Sequence, residues 1–77
     1  QLLDEALAMN PNHAGAWAAR GKLREAAGDL AQARQNYAHS LSINSLQPDV
    51  FQRIAAIDVR MGQQAVSNAI AATQTQP

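Results

Sequence analysis

A similarity of the chain to itself at a fixed offset constrains the fold more than any other feature. Shifting the 77 residues by 34 positions aligns residues of the same kind at seven places. A period of this length is typical of repeat proteins, in which successive helical units stack side by side. The aligned pairs are Leu3 with Tyr37, Leu7 with Leu41, Met9 with Ile43, Asn10 with Asn44, Trp17 with Phe51, Leu23 with Ile57 and Gly28 with Gly62.

The pattern between the turn signals is helical throughout. Apolar residues recur three and four positions apart, and alanine, the strongest helix former, is abundant. We therefore expect an all-α chain. The predicted helices cover residues 1–9, 13–27, 30–43, 48 to about 62, and a weaker fifth segment at 63–72, with Phe51, Ile54, Ala55 and Met61 as the apolar face of the fourth.

Four residues are predicted to set the helix boundaries. Asn12 is a candidate N-cap for the second helix, because its side chain can accept from a free backbone N–H. Gly28 suits the left-handed position after that helix. Asp29 can cap the third helix, and Pro48 suits the first turn of the fourth, where its missing N–H costs nothing.

Composition excludes several functions. Six basic and six acidic residues give a formal net charge of zero, so we expect no nucleic-acid binding, which normally requires a basic excess. No apolar run approaches the roughly 20 residues of a membrane span. The absence of cysteine excludes disulfides and thiolate metal sites.

The residues at the repeat positions resemble the tetratricopeptide repeat (TPR) family over about residues 3–72. The family pattern places an aromatic residue and a glycine in the first helix of each unit, a Gly-Asp-like turn, and then alanine, aromatic and small residues in the second. A closing proline follows, as in the segment 6–12 around Pro11. The matching residues of the middle unit are Trp17, Gly21, Gly28, Asp29, Ala33, Tyr37 and Ser40.

This resemblance implies a right-handed superhelical stack of antiparallel helix pairs. Residues 1–77 are then a single TPR-like region, which we expect to be a fragment of a TPR-containing protein. Its predicted parts are the end of a preceding repeat (1–11), a full repeat (12–47), a degenerate repeat or capping helices (48–72) and a disordered tail (73–77).

Two arginines depart from the family pattern. Arg20 and Arg24 stand where the family usually has a large apolar and an aromatic residue. They lie one turn apart on the side that should meet the preceding helix. We expect their aliphatic stems to cover that helix and their guanidinium groups to reach acidic residues such as Asp4 or Glu5.

The resemblance also implies a function, the binding of a protein or peptide in the concave groove of the superhelix. The first helix of each unit lines that groove. The family's groove positions correspond to Gly15, Ala18, Lys22 and Glu25 in the middle unit, and to Asp49, Gln52, Ala56, Val59 and Arg60 in the last. The predicted partner-binding residues are Lys22, Glu25, Asp49, Gln52 and Arg60. The carboxylate clamp of some family members is not carried over to Lys22 and Arg53, because the matching asparagines are missing.

Two alternative functions remain open. The region can be a self-assembly module, because an incomplete first repeat leaves an apolar N-terminal face on Leu3 and Leu7 through which a homo-oligomer could form. It can also be an accessory TPR region of a larger enzyme, whose catalytic domain would lie outside these residues.

No constellation within the chain predicts catalysis, a cofactor or a metal. His13 and His39 are the only histidines and have no carboxylate at ligand spacing beside them. The carboxylates are scattered, and no phosphate-binding or hydrolase motif is present. Trp17, Tyr37 and Phe51 occupy the family's core aromatic positions, so we expect them to pack in the core and not to form a ligand cage.

Overall fold

The computed structural model describes residues 2–74 and contains only α-helices and their connections in that range. Neighbouring helices run antiparallel. The molecule is elongated, with principal extents of 55 × 26 × 16 Å. The all-α prediction is therefore confirmed. The four helices are α1 (Leu2–Met9), α2 (Ala14–Ala26), α3 (Leu30–Ile43) and α4 (Pro48–Gln74).

The α2–α3 hairpin forms the centre of the molecule. Ala33, Tyr37 and Ser40, three of the residues that match the repeat pattern, are completely buried on α3. Gly21 on α2 permits this packing, because a Cβ at that position would lie 2.7 Å from two carbon atoms of the Tyr37 ring. The two helices approach so closely that only glycine fits opposite the aromatic ring.

The turn between α2 and α3 agrees with the prediction. Gly28 has a φ of +82°, and its N–H donates to the Glu25 carbonyl, while the Asp29 N–H donates to the Arg24 carbonyl. This pair of bonds is the Schellman arrangement, which satisfies carbonyls left free at the end of a helix. The Asp29 side chain then caps α3 by accepting from the Gln32 N–H at 3.1 Å.

The predicted N-cap of α2 was wrong by one residue. His13, not Asn12, is the cap, and its Nδ1 accepts from the Ala16 N–H at 3.0 Å. Asn12 instead donates its backbone N–H to the side chain of Asn10. Histidine is uncommon in this role.

The predicted break at Gly62 is also absent, since α4 is one continuous helix of 27 residues from Pro48 to Gln74. Gly28 ends a helix because Asp29 follows it and caps the next one. Gly62 is followed by glutamines, which continue a helix readily. Of the predicted 73–77 tail, residues 73 and 74 are helical, and 75–77 lie outside the described residues.

The face of α4 that packs on α2 and α3 is rotated from the predicted one. Val50 and Ile57 are each only 1% exposed, and Ile54 packs beside them. Phe51, predicted to be a core residue, is 68% exposed. Its repeat equivalent Trp17 is covered by residues of the following helix, but α4 continues straight, so no following helix returns to cover Phe51.

The N-terminal apolar face differs from the prediction as well. Leu7 is buried and Leu3 is half-buried, so the two residues expected to form an open face instead pack within the fold. The exposed apolar residues of α1 are Leu2 and Met9. None of the helices within residues 2–74 combines the length and the apolar character that crossing a membrane requires.

Candidate interaction surface

A polar contact between three helices lies beside the core. The Tyr37 hydroxyl on α3 donates to the Glu25 carboxylate on α2 at 2.9 Å, and Arg53 on α4 donates to the same oxygen at 3.4 Å. Glu25 is half-buried. Its carboxylate therefore already has partners on α3 and α4. The sequence predicted Glu25 as a partner-binding residue and did not predict these contacts.

Burial of the ring raises the pKa of Tyr37 to about 12, and the hydrogen bond and negative charge of Glu25 act in the same direction. The positive charge of Arg53 opposes the shift. The neutral hydroxyl is consequently the form that the folded protein stabilises. Tyr37 serves as a fixed hydrogen-bond donor across the α2–α3 contact.

A second ion pair joins α3 to α4. The guanidinium of Arg34 donates from two nitrogens to the two carboxylate oxygens of Asp58, at 2.5 and 3.1 Å. The hydrogen bond from Arg34 lowers the pKa of Asp58, and the same contact raises that of Arg34. Both side chains are about half exposed, so this pair orients α4 more than it stabilises the fold.

The expected contact with an acidic residue of α1 is present for Arg20 but not for Arg24. The Nε of Arg20 lies 3.5 Å from the Asp4 carboxylate of α1 without meeting hydrogen-bond geometry, and its guanidinium carbon lies 5.9 Å from the centre of the Trp17 ring. Arg24 makes no ion pair with any described residue. It borders a groove of about 300 Å³ together with Arg20, Leu23 and Ala27.

Trp17 contacts a backbone carbonyl and the ring of a histidine. Its indole N–H donates to the Pro11 carbonyl at 2.7 Å, and its ring centre lies 4.1 Å from that of His39. Within the described residues this is the one pair of aromatic rings in contact, so Trp17, Tyr37 and Phe51 do not form a cage. His13 is engaged at its Nδ1 as the cap of α2, and His39 lies against the Trp17 ring.

Gln47 closes the α3–α4 connection, a role that sequence reasoning missed. Its amide nitrogen donates to the carbonyls of Ser40 and Asn44 at 3.1 and 2.7 Å. The Ser40 hydroxyl in turn donates to the Ala14 carbonyl of α2 at 2.7 Å. These side-chain bonds fix the connection between α3 and α4.

The other predicted partner-binding residues are exposed. Lys22 lies on α2, and Asp49, Gln52 and Arg60 lie on α4. None of the four takes part in an ion pair or side-chain hydrogen bond with another described residue. Of the further groove positions, Gly15, Ala56 and Val59 are exposed, but Ala18 is only 8% exposed and belongs to the core.

No group of three metal-ligating side chains occurs within residues 2–74. The exposed side chains of Lys22 on α2 and of Asp49, Gln52 and Arg60 on α4 are polar and carry charges of both signs.

Together, the repeating antiparallel helices define a helical-repeat protein, in which each helix packs on its neighbours along the chain. Residues 2–35 match the family model described as Tetratricopeptide repeat, so the chain contains a tetratricopeptide repeat. The matched span begins in α1 and ends within α3, and so starts one helix earlier than the unit at 12–47. Searches of curated proteins and of solved structures each found no match.

Proposed function

We propose that the chain binds a protein or peptide partner through the side of α2 and α4 that carries Lys22, Asp49, Gln52 and Arg60. Tetratricopeptide repeats are generally protein-interaction modules and are typically non-catalytic. The chain acts in this proposal as a scaffold, and its ligand is an extended or helical segment of another polypeptide.

The observation that carries the proposal is the availability of these four side chains. On α4, Arg53 and Asp58 already pair with α2 and α3, whereas Asp49 and Arg60 are exposed without an ion pair to any described residue. Lys22 is similarly available on α2. Glu25 is not part of the proposed surface, because Tyr37 and Arg53 already bind its carboxylate.

The charges of the surface indicate the chemistry of the partner. Lys22 and Arg60 supply two positive charges and Asp49 one negative charge, so a segment with spaced carboxylates fits best. Exposed pairs of this kind add little affinity individually. Apolar contact with Val59, which is 60% exposed, would supply the rest.

A peptide-display selection on the purified chain tests the proposal. The affinities of selected peptides would be measured by fluorescence polarisation for Lys22→Ala/Arg60→Ala and for the matched control Gln32→Ala/Gln35→Ala on the exposed side of α3. We expect at least a tenfold loss for the first variant and little change for the second. Equal affinity for both variants, or no selected peptide, would contradict the proposal.

A further inference from the structure

One surface groove lies outside the proposed partner-binding surface. It has a volume of about 300 Å³, lies near the C-terminal end of α2 and is bordered by Arg20, Leu23, Arg24 and Ala27. Steps of three and four residues place all four side chains on one helix face. Lys22 is two residues from each arginine, which places it about 200° away around the helix. The groove and the surface that contains Lys22 therefore lie on different sides of α2.

The two arginines of the groove repel each other. They are four residues apart, and like charges at this spacing destabilise a helix slightly. The fold compensates for this repulsion only in part. Asp4 of α1 lies 3.5 Å from Arg20, whose Nε is buried without a hydrogen bond, and Arg24 has no ion pair with any described residue. Two positive charges and one negative charge leave the groove with a net charge of +1.

The positions of these arginines in the repeat make the charge more unusual. The tetratricopeptide pattern usually has a large apolar and an aromatic residue there, so packing between helices does not require positive charge. Residues that break a structural rule are expected at functional sites. No contact within the described chain accounts for the charge of Arg24, whereas a bound anion would account for it.

We propose that this groove binds a polypeptide segment in which a carboxylate side chain lies beside a large apolar one. The carboxylate accepts hydrogen bonds from Arg20 and Arg24, since the planar guanidinium group matches the two oxygens of a carboxylate. The apolar side chain packs on Leu23, which is 46% exposed, and on Ala27. This contact is additional to the proposed partner-binding surface, and neither depends on the other.

The charge of the groove favours an acidic peptide over a phosphorylated one. A glutamate or aspartate side chain carries one negative charge and neutralises the net charge of the groove. A phosphate monoester carries about −1.5 to −2 at pH 7, which exceeds the positive charge available. It would also be repelled by the carboxylate of Asp4 beside Arg20.

The groove admits a small part of such a segment. Volumes of ligand-binding sites range from about 300 to 1,000 Å³, so this groove lies at the lower limit and accommodates one or two side chains. The Arg20 side chain is 29% exposed, and ion pairs in contact with water contribute little affinity individually. We therefore expect a short peptide to bind with a dissociation constant in the millimolar range.

Fluorescence titration of the 77-residue chain tests the proposal. Trp17 is the only tryptophan, and the guanidinium carbon of Arg20 lies 5.9 Å from its ring centre, so an anion bound to Arg20 should change its emission. The probe is the blocked dipeptide N-acetyl-Leu-Glu-amide, and its control is N-acetyl-Leu-Gln-amide, which has the same shape but no charge.

We expect saturable binding of the Glu dipeptide. Binding of the Gln dipeptide should be roughly tenfold weaker, because it offers the guanidinium groups no ionised acceptor. Equal affinities of the two dipeptides, or no saturable binding of the Glu dipeptide, would overturn the proposal. Tighter binding of inorganic phosphate than of the Glu dipeptide would overturn it as well.

Two variants with the same change of charge distinguish the two sides of α2. Arg24→Gln should weaken binding of the Glu dipeptide roughly fivefold or more, because the groove loses its unpaired guanidinium group. Lys22→Gln should leave that binding unchanged, although it should weaken peptides selected for the proposed partner-binding surface. Circular dichroism would verify that both variants keep their helices, and the comparison of the two dipeptides on the parent chain does not depend on either variant. Equal effects of the two substitutions would contradict a site in the groove.

Chemical blocking tests the location in a chain that has no cysteine of its own. Ala27→Cys places a thiol at the edge of the groove, and Ala26→Cys places one about 100° away around the helix. Both alanines are exposed. Modification with N-ethylmaleimide should abolish binding of the Glu dipeptide to the first variant and leave binding to the second intact. Equal binding by the two modified chains would overturn the proposal.

Discussion

At the scale of single residues, Tyr37 links the core to the polar contact between three helices. Its ring lies over Gly21, and its hydroxyl donates to Glu25. The repeat pattern predicts neither contact, because at this position it specifies only an aromatic residue. Two predictions follow from the two ends of this side chain.

The hydroxyl end predicts an alkaline titration. Tyr37 is the only tyrosine, and its pKa of about 12 lies above the ordinary value of 10.0. Because the folded pKa is raised, the associated stability is complete below pH 10 and is lost as pH rises from about 10 to about 12. Tyrosinate absorbance should show this shift.

Glu25→Gln is the test of its cause. Removing the negative charge should lower the pKa of Tyr37 but leave it above 10, because the ring stays buried. A titration unchanged by Glu25→Gln would show that the negative charge of Glu25 contributes nothing to the shift.

The ring end predicts the effect of Gly21→Ala. The added methyl group would overlap the Tyr37 ring at 2.7 Å, and overpacking of this kind typically costs about 1–3 kcal/mol. Alanine returns at most about 1 kcal/mol through its helix propensity. We expect a net loss of roughly 1 kcal/mol or more in urea unfolding. A variant as stable as the parent chain would mean that the two helices separate easily.

At the scale of elements, Gly28 and Gly62 occupy equivalent repeat positions in different conformations. Gly28 ends α2 with a positive φ, and Gly62 lies inside α4. Gly28→Ala should therefore destabilise the chain by about 1 kcal/mol or more, because a side chain strains the left-handed conformation. Gly62→Ala should stabilise the chain by up to about 1 kcal/mol, because a Cβ at that position meets nothing within 4 Å.

Thermal unfolding of the two variants and of the parent chain would measure both effects. Destabilisation by both substitutions would indicate that Gly62 also serves as a turn in solution. Stabilisation by both would contradict the Schellman end of α2.

The elements also show how far the sequence could predict this fold. The repeat offset identified α1, α2 and α3, and Gly28 and Asp29 located the turn between α2 and α3. The 34-residue offset predicted the wrong environment for Phe51 and the wrong conformation for Gly62. Equivalent positions behave alike only when they have equivalent neighbours. Trp17 has α3 and the Pro11 carbonyl beside it, whereas no helix folds back on Phe51.

The candidate surface was predictable to a similar degree. Exposure of Lys22, Asp49, Gln52 and Arg60 follows from their positions on helices whose opposite sides are buried. The engagement of Glu25 depends on Tyr37 and Arg53, which are 12 and 28 residues away. No local pattern specifies contacts at that separation, and the same holds for the bonds of Gln47.

At the scale of the whole molecule, the ion pair of Arg34 and Asp58 holds the first part of α4 against the hairpin. The lowered pKa of Asp58 implies stability that is present above the ordinary aspartate range and is lost as pH falls through the folded value. Asp58→Asn should be less stable than the parent at neutral pH, and the difference should shrink in acid.

Urea unfolding of the single variants and of Arg34→Gln/Asp58→Asn would isolate the coupling between the two residues. Because both side chains are exposed, high salt should reduce the difference as well. A coupling that is independent of pH and of salt would contradict this account of the pair.

The second half of α4, in which every residue from Asp58 to Ala72 is exposed, has a consequence for amide hydrogen exchange. Amides near Tyr37 can exchange only through opening of the central hairpin, so their protection should approach that of the whole fold. Amides from Met61 to Ala72 can exchange by fraying of a single helix, and should be replaced by deuterium much sooner in dilute solution. One chain would then carry two regions whose amides open at very different free energies, although both belong to the same fold.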